Sequence, residues 1–433
     1  MDQLPEAVPK RRINYLVVVI LNCILFETGV IANALGALMP DMIRDLRLSY
    51  TLAALLPFSY FIAFGVISIP AGILTERLSA KKVVIASFVL AFAGTFSFAL
   101  RPQYIIVLIS LFLVGCWLAA GQIPLYPLLK GACGGENLAF FTVLTNMMYG
   151  LGSMVSPHVY SVVVRNLSAP MHGGIIAATL GRLVEGSFNW VSLYWIFSAV
   201  LGLTISALLF VRFPRVELTE EERAGSLRVY LGLLKNRTVL LFVFGVLAYS
   251  ACEQGNANWI SQFLKAYHGC DPETTGARTL SWFWTLLTAG CAGGMLVVKF
   301  FESRRVVTFS SLFAFGCFSF AVLGNKTMAL IFFPLVGLFL SVLWPLIAEL
   351  ALNSLEKHHG ALMGILFSSA VGGALGPLLI GRIGDLVGLR AGMLVLYLPL
   401  LYIAFLGVRA CPLVTNATLL TKQRSSLPSS NFR

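Results

Sequence analysis

Long apolar stretches alternate with short polar breaks along nearly the whole chain. Each stretch holds about 20 mainly apolar residues, the length that an α-helix needs to cross the hydrocarbon core of a bilayer. None shows the alternation over about ten residues that is typical of membrane β-barrel strands, so we predict helices throughout. The predicted spans are residues 14–39, 50–74, 81–100, 104–129, 138–164, 190–213, 238–264, 276–299, 306–324, 327–352, 359–384 and 388–409.

The longest polar break separates six predicted spans from six others. We therefore predict an all-α integral membrane protein with twelve transmembrane helices in two pseudo-symmetric six-helix bundles. The predicted units are an N-terminal tail (1–13), a first bundle (14–213), a linker (214–237), a second bundle (238–409) and a C-terminal tail (410–433).

The two halves repeat each other weakly, which supports a division into two bundles. The offset between matching segments changes only from 226 to 220 residues along the chain. Parallel six-helix repeats are typical of transporters in which two bundles rock about a central site. The matching segments are FETG (26–29) with CEQG (252–255), KKVV (81–84) with RRVV (304–307), LVGCWL (113–118) with LVGLFL (335–340), and GSMVSP (152–157) with GGALGP (372–377).

Composition and charge placement agree with a membrane protein. The chain is 58% hydrophobic and 12% charged, whereas a soluble globular chain is about 45–50% apolar and about 25% charged. The net charge of +12 comes mainly from Lys and Arg in the breaks on the side of the N-terminus. This asymmetry predicts a plasma (inner) membrane protein with both termini in the cytoplasm. It explains the basic charge without a nucleic-acid partner.

The motifs of enzymes and metal proteins are absent from the sequence. The eight Cys form no C-x-x-C pair, and the five His form no H-E-x-x-H motif. There is no G-x-x-x-x-G-K-[ST] phosphate loop and no G-x-S-x-G nucleophile motif. We therefore expect no cofactor, no metal site and no enzymatic reaction.

The loop after the second predicted span reads GILTERLSAKK (72–82). It resembles the loop signature of the major facilitator superfamily, with Glu76 where Asp is usual and Ser79 where Gly is usual. A degenerate second copy, GRIGDLVGLR (381–390), contains Asp385 and Arg390. The resemblance implies that the acid accepts hydrogen bonds across the bundle interface in one conformational state. The residues of this motif are Gly72, Glu76, Arg77 and Lys81.

Within that superfamily, the chain resembles the fucose–proton symporter family of sugar transporters. The segments with this character are IPAGILTERLS (69–79), YPLL (126–129), residues 146–157 and GNANWISQFL (255–264). The resemblance implies sugar uptake coupled to protons, and a monomer. The proton-linked acids of the family align with Gly36 or its neighbour and with Gln122 here, and neither position holds a residue that titrates. Either another acid couples transport, or transport is uncoupled, or another ion such as sodium is used.

Acids inside predicted spans are expensive to bury and are functional candidates by default. Glu27 and Glu253 lie near the centres of spans one and seven, and we predict that they carry the coupled proton. The alternative is a buried carboxyl that ties helices together. Glu349 lies in the last turn of span ten, where an anchoring role is the simpler interpretation.

Span one also presents a small, polar stripe, from which Glu27 is displaced by roughly 140° around the helix. The stripe suits either a water-lined cavity or close helix packing. In span seven, three polar residues follow one another at 252–256, and Gly and Asn are weak helix formers. We predict a local distortion there, with freed backbone groups available to bind a ligand. The stripe consists of Asn22, Phe26, Gly29, Asn33 and Gly36.

A sugar presents hydroxyl groups and apolar faces, so a site for it pairs amides with aromatic rings. No basic residue lies in the middle of a predicted span, which favours a neutral or cationic substrate. The candidate substrate-binding residues are Asn22, Asn33, Tyr60, Gln122, Tyr126, Asn146, Tyr149, Gln254, Asn256, Asn258, Trp282 and Trp344.

The sequence therefore predicts a secondary transporter that moves a small neutral solute, most simply a sugar, with protons. Two alternatives remain open. One is a proton-coupled exporter of a lipophilic or cationic compound, and the other is a substrate-sensing receptor built on a transporter scaffold.

Overall fold

A computed structural model describes residues 13–134, 137–168, 175–184, 188–213 and 227–413. This part of the chain is helical and contains no β-strand. Most of the predicted tails and of the predicted linker lies outside it. The helices are α1 (Tyr15–Ala32), α2 (Leu35–Asp45), α3 (Tyr50–Arg77), α4 (Ala80–Leu100), α5 (Tyr104–Cys133), α6 (Leu138–Ser168), α7 (Ile175–Leu183), α8 (Ser192–Phe210), α9 (Leu227–Leu233), α10 (Arg237–His268), α11 (Ala277–Val297), α12 (Ser303–Leu323), α13 (Lys326–Leu340), α14 (Leu343–Leu352), α15 (His359–Ser368), α16 (Gly372–Val387), α17 (Leu389–Leu394) and α18 (Tyr397–Arg409).

Eleven helical runs of the described residues are long and apolar enough to cross a membrane. The helix α6, 31 residues long and richer in polar side chains, completes the predicted twelve. Four runs consist of two consecutive helices each: α1 with α2, α13 with α14, α15 with α16, and α17 with α18. The prediction of an all-α membrane protein with twelve spans is confirmed.

The interruption between α13 and α14 lies next to a proline. Pro345 lacks an N–H group, and its ring clashes with the carbonyl four residues earlier, that of Ser341. The helix ends at Leu340 and resumes at Leu343. The second segment, α14, contains Trp344.

The predicted distortion of span seven is wrong. The helix α10 is continuous over 32 residues, from Arg237 to His268. Its asparagines do not compete with the backbone ladder, because their side-chain amides donate to carbonyls one turn earlier. Asn256 donates to Cys252 at 2.8 Å, and Asn258 donates to Gln254 at 2.9 Å. The polar residues of α10 are therefore presented by an intact helix.

Small residues set the spacing of the first and sixth helices. The backbones of α1 and α6 touch, since a Cβ atom at Gly29 would clash with the carbonyl of Tyr149. A Cβ atom at Gly152 would likewise clash with the carbonyl of Phe26. Close approach through glycine is a common way to associate membrane helices. Gly29, in the middle of the predicted stripe, thus serves helix packing.

The bundle has two ends, which we name by their contents. At the terminal end, the first and last described residues meet neighbouring helix ends. The Asn14 N–H donates to the Ala132 carbonyl at 2.9 Å, and the Leu413 N–H donates to the Asn353 carbonyl at 2.8 Å. The opposite, or far, end holds the turns at 46–49, 269–271 and 388.

Helices from the two halves of the chain meet closely at the far end. Both carboxylate oxygens of Asp385 accept backbone N–H groups, from Tyr50 and Thr51, at 2.8 Å each. Asp385 of α16 thereby caps the N-terminus of α3, where a negative charge is favoured. Nearby, a Cβ atom at Gly36 would clash with the Ala257 carbonyl, so α2 and α10 touch. We call these contacts the far-end seal.

Candidate functional site

Glu253 forms the centre of a polar network on α10. The Tyr249 hydroxyl donates to its Oε1 at 2.7 Å, and the Gln254 amide donates to its Oε2 at 3.4 Å. Gln254 in turn accepts from the Asn258 amide at 3.3 Å. Tyr249 precedes Glu253 by four residues, which places the two side chains next to each other on an intact helix. The network is therefore a direct product of helical spacing.

The first half of the chain contributes a second cluster that faces Glu253. The Asn33 amide donates to the Tyr149 hydroxyl at 3.2 Å and to the Ser153 hydroxyl at 2.9 Å. Tyr149 lies close enough to Glu253 to interact with it electrostatically. Asn33 follows the last residue of α1 and Tyr149 lies within α6, so the two predicted candidates meet because these helices pack at Gly29. The cluster and the Glu253 network together join the two halves.

Aromatic rings border the same region. Trp344 of α14 lies 6.3 Å from Tyr249 and 5.6 Å from Phe367, measured between ring centroids. Tyr60 of α3 is buried, and its hydroxyl has no hydrogen-bond partner among the described residues. Tyr60 also lies within electrostatic reach of Tyr149. Rings and hydrogen-bonding groups are therefore available side by side.

Glu27 lies in a different environment. It is 8% exposed, and the Thr204 hydroxyl of α8 donates to its Oε2 at 2.7 Å. Its Oε1 has no hydrogen-bond partner in the described part of the chain. Within that part, Glu27 and Glu253 share no hydrogen-bond partner. The two predicted coupling acids are thus held by different helices.

Other predicted site residues are more scattered. Asn22 donates to the Val18 carbonyl of its own helix at 2.8 Å. Gln122 is half-buried and Asn146 is exposed, whereas Trp282 is 53% exposed on α11. The side chain of Tyr126 lies outside the described part. Asn256, fully buried, bonds within α10 and does not join the Glu253 network.

Gly36 lies at a close contact between α2 and α10. Its Cα lies against the backbone of Ala257, where even a methyl group has no room. A carboxylate side chain at this position is incompatible with the contact between α2 and α10. Position 36 therefore serves the far-end seal.

The loop motif is described only in part. The side chains of Glu76 and Arg77 lie outside the described part, and Gly72 lies within α3. Lys81 donates to the carbonyls of Leu209 and Val211 at 3.0 and 2.7 Å. It thereby ties α4 to the C-terminal end of α8, where a cation is favoured.

In the second motif copy, Asp385 forms the far-end cap described above. The Arg390 guanidinium lies 4.7 Å from the centroid of the Tyr267 ring. Glu349 accepts from the Asn353 side chain at 3.1 Å within its own helical segment.

Sequence reasoning missed two acid–tyrosine pairs. Tyr249 was not singled out, although its spacing from Glu253 signals a neighbour on the same helix face. Asp41 was placed beyond the end of the first predicted span, whereas α2 continues to Asp45. Asp41 is 1% exposed and accepts from the Tyr160 hydroxyl at 2.5 Å. The sequence signal for this longer helix is the apolar pattern of residues 35–43, which continues beyond Asp41.

Comparison with known proteins shows the family of this chain. Residues 21–377 match the family model described as Major Facilitator Superfamily. The chain belongs to the major facilitator superfamily. It is a multi-pass membrane protein of this transporter family, as the loop motif and the internal repeat predicted.

Among its relatives, the chain is 26% identical over 397 residues to a protein named "Glucose/galactose transporter" from Brucella abortus biovar 1 (strain 9-941). That match covers 90% of this chain and 92% of the relative. The chain is 23% identical over 396 residues to the "L-fucose-proton symporter" of Escherichia coli (strain K12), covering 87% of this chain and 88% of the relative. The predicted resemblance to that family is confirmed.

A solved structure shows the same fold. It is a bacterial homologue of the human lysosomal transporter Spinster, in an inward-facing and unoccupied conformation. The TM-score is 0.76 at 17% identity, and the match covers 93% of this chain and 97% of that one.

Proposed function

We propose that this protein is a secondary active transporter that takes up a neutral sugar together with protons. The observation that carries the proposal is the Glu253 network at the junction of the two halves. Hydroxyl, amide and carboxylate groups meet aromatic rings there, which suits a ligand with hydroxyl edges and apolar faces. The names of two relatives, a glucose/galactose transporter and an L-fucose-proton symporter, support the same substrate class.

Charge supports a neutral substrate. The described side chains that bond to Glu253 are Tyr249 and Gln254, and neither is basic. An anionic substrate placed there would face a carboxylate without a compensating cation, which is unfavourable at membrane depth. Glu253 is also the group best placed to bind a proton next to the sugar.

The position of the Glu253 network between the two halves suits a transporter that opens alternately to the two sides of the membrane. Asn33 and Tyr149 belong to the first half, and Glu253 belongs to the second, so relative motion of the halves changes the spacing of the site. Rocking of two bundles about a site near the bilayer midplane is how such folds alternate access. We place both termini in the cytoplasm, because the basic breaks lie on their side. The far end then faces outward.

The experiment uses purified protein in proteoliposomes with an imposed pH gradient. Glucose, galactose, fucose and other neutral monosaccharides are compared with a lipophilic cation. We expect gradient-driven accumulation of at least one sugar and none of the cation. Accumulation of the cation alone would contradict the proposed sugar substrate. Sugar uptake that does not depend on the pH gradient would contradict proton coupling.

A further inference from the structure

Asp41 is a charged residue that the proposed site does not use. It lies in the second half of α2, and its side chain is almost completely enclosed. The Tyr160 hydroxyl of α6 donates to Oδ2 at 2.5 Å, and Arg44 Nη2 lies 3.1 Å from Oδ1. Burial of an acid at this depth is costly without full compensation, so its neighbours decide its charge.

The positive charge of Arg44 is shared between two carboxylates, those of Asp41 and Asp45. Arg44 Nε lies 2.6 Å from Asp45 Oδ1, and Nη2 donates to Asp45 Oδ2 at 3.2 Å. The Trp190 indole also donates to Asp45 at 2.9 Å. Arg44 is therefore aligned mainly with Asp45, and Asp41 Oδ1 is left without a well-oriented hydrogen bond in the described part of the chain.

Charged groups from the second half of the chain complete the surroundings. Lys265 of α10 and Glu273 of the turn at 272–276 both interact electrostatically with Asp41. Glu273 in turn faces Asp271 and Arg165, whose charges offset each other. Around Asp41 itself, the other acids are Asp45 and Glu273, and the bases are Arg44 and Lys265. This cluster, in which Asp41 itself is enclosed, therefore has one negative charge in excess, which one bound proton neutralises.

Asp41 also lies where the halves of the chain close on each other. The turn at 272–276 packs against both α2 and α6, and α2 touches α10 at Gly36. Separation of the halves at this end removes Lys265 and Glu273 from Asp41 and admits water. The carboxylate is then solvated and needs no proton. Proton binding and closure are thus linked at this residue.

We propose that Asp41 is a proton-binding site of the far-end seal, at which protonation stabilises the closed far end and deprotonation favours its opening. This site is separate from Glu253, which remains the candidate carrier next to the substrate. The inference goes beyond the proposed function, because it concerns the conformational equilibrium and requires no particular substrate.

The test is hydrogen–deuterium exchange of the purified protein at pH 5 and pH 8, corrected for the chemical exchange rate. The amides of 35–45 and 255–268 are expected to exchange several-fold faster at pH 8, where the far end opens more often. Asp41→Asn, which remains neutral, is expected to show slow exchange at both pH values. Glu349→Gln, a matched removal of a carboxylate outside the seal, is expected to keep the wild-type difference.

Two results would overturn the proposal: pH-independent exchange of the wild type, or a wild-type pH response in Asp41→Asn. If Asp41→Asn does not fold, the same exchange measurement on Tyr160→Phe tests the proposal. This substitution removes a donor to the carboxylate, so the midpoint of the pH response is expected to move to higher pH. An unchanged midpoint would contradict the role of Asp41. Because no transport is measured, absence of sugar uptake would disprove the proposed function and leave this result standing.

Discussion

At the scale of single residues, the two glutamates inside the spans, Glu27 and Glu253, differ in their hydrogen-bond partners. Glu253 belongs to a network that reaches from α10 towards Tyr149 of the other half. Glu27 is held by Thr204 of α8. A carboxyl that couples two substrates has to meet both, and only the surroundings of Glu253 combine hydroxyl, amide and aromatic groups. We therefore propose that Glu27 stabilises helix packing and that Glu253 couples protons to transport.

The packing role of Glu27 predicts a stability change. Thr204→Val removes the hydrogen-bond donor and leaves a buried carboxyl oxygen unpaired, at an expected cost of about 1 kcal/mol. The midpoint of thermal unfolding in detergent should fall accordingly. Thr28→Val is the matched control, because the Thr28 hydroxyl donates to the Ile24 carbonyl of its own helix. Equal midpoints for the two variants would show that the Thr204 contact is unimportant.

At the scale of helices, the continuity of a span depends on whether its backbone N–H and C=O groups have hydrogen-bond partners. Asn256 and Asn258 extend the bonding of α10 to carbonyls one turn earlier and leave the helix whole. The tenth span is interrupted next to Pro345, which lacks a backbone donor. Other prolines, such as Pro57 and Pro124, lie inside continuous helices, so neither polar content nor proline alone predicts a break. Within a bilayer, an intact ladder is strongly favoured.

Lys81 allows a test of a contact between two helices. Lys81→Met removes a cation from the C-terminal carbonyls of α8, at an expected cost of about 0.3–1 kcal/mol. Hydrogen–deuterium exchange in the last turn of α8 should become faster. Lys82→Met, at the exposed neighbouring position, is the control and should leave that turn unchanged. Identical exchange in both variants would contradict a capping role of Lys81.

The spans could be read from the sequence because their length is fixed by the bilayer. The boundaries of the spans are harder to predict. Arg44 and Asp45 are charged and resemble the end of a helix, but α2 includes both residues. The meeting of Asn33 with Tyr149, 116 residues apart, depends on how α1 packs against α6. A single sequence does not show which residues far apart in the chain contact each other. The acid–tyrosine neighbours on α10, by contrast, follow from helical spacing alone.

At the scale of the whole molecule, the far-end seal joins the two halves of the chain in the structure. Asp385 caps α3 across the two halves, and Gly36 lets α2 touch α10. Both contacts have to separate when the far end opens. The seal is therefore part of the alternation that the proposed function requires.

Gly36 offers a steric test of the seal. In Gly36→Ala, the new methyl group meets the Ala257 carbonyl, so the closed far end is destabilised and exchange of 35–45 should increase. Gly65→Ala is the matched control, because its methyl group would lie 3.5 Å from Val371, an ordinary contact between the halves. We expect slower sugar transport only for Gly36→Ala. Equal exchange and transport in the two variants would show that the contact does not limit closure.

The central claim is that Glu253 couples protons to sugar movement. The most direct measurement compares Glu253→Gln with wild type in proteoliposomes, using the sugar that accumulates most under a pH gradient. We predict that Glu253→Gln loses gradient-driven accumulation but retains sugar exchange between equal concentrations, whereas Glu27→Gln retains both. Gradient-driven accumulation by Glu253→Gln at the wild-type level would contradict the claim.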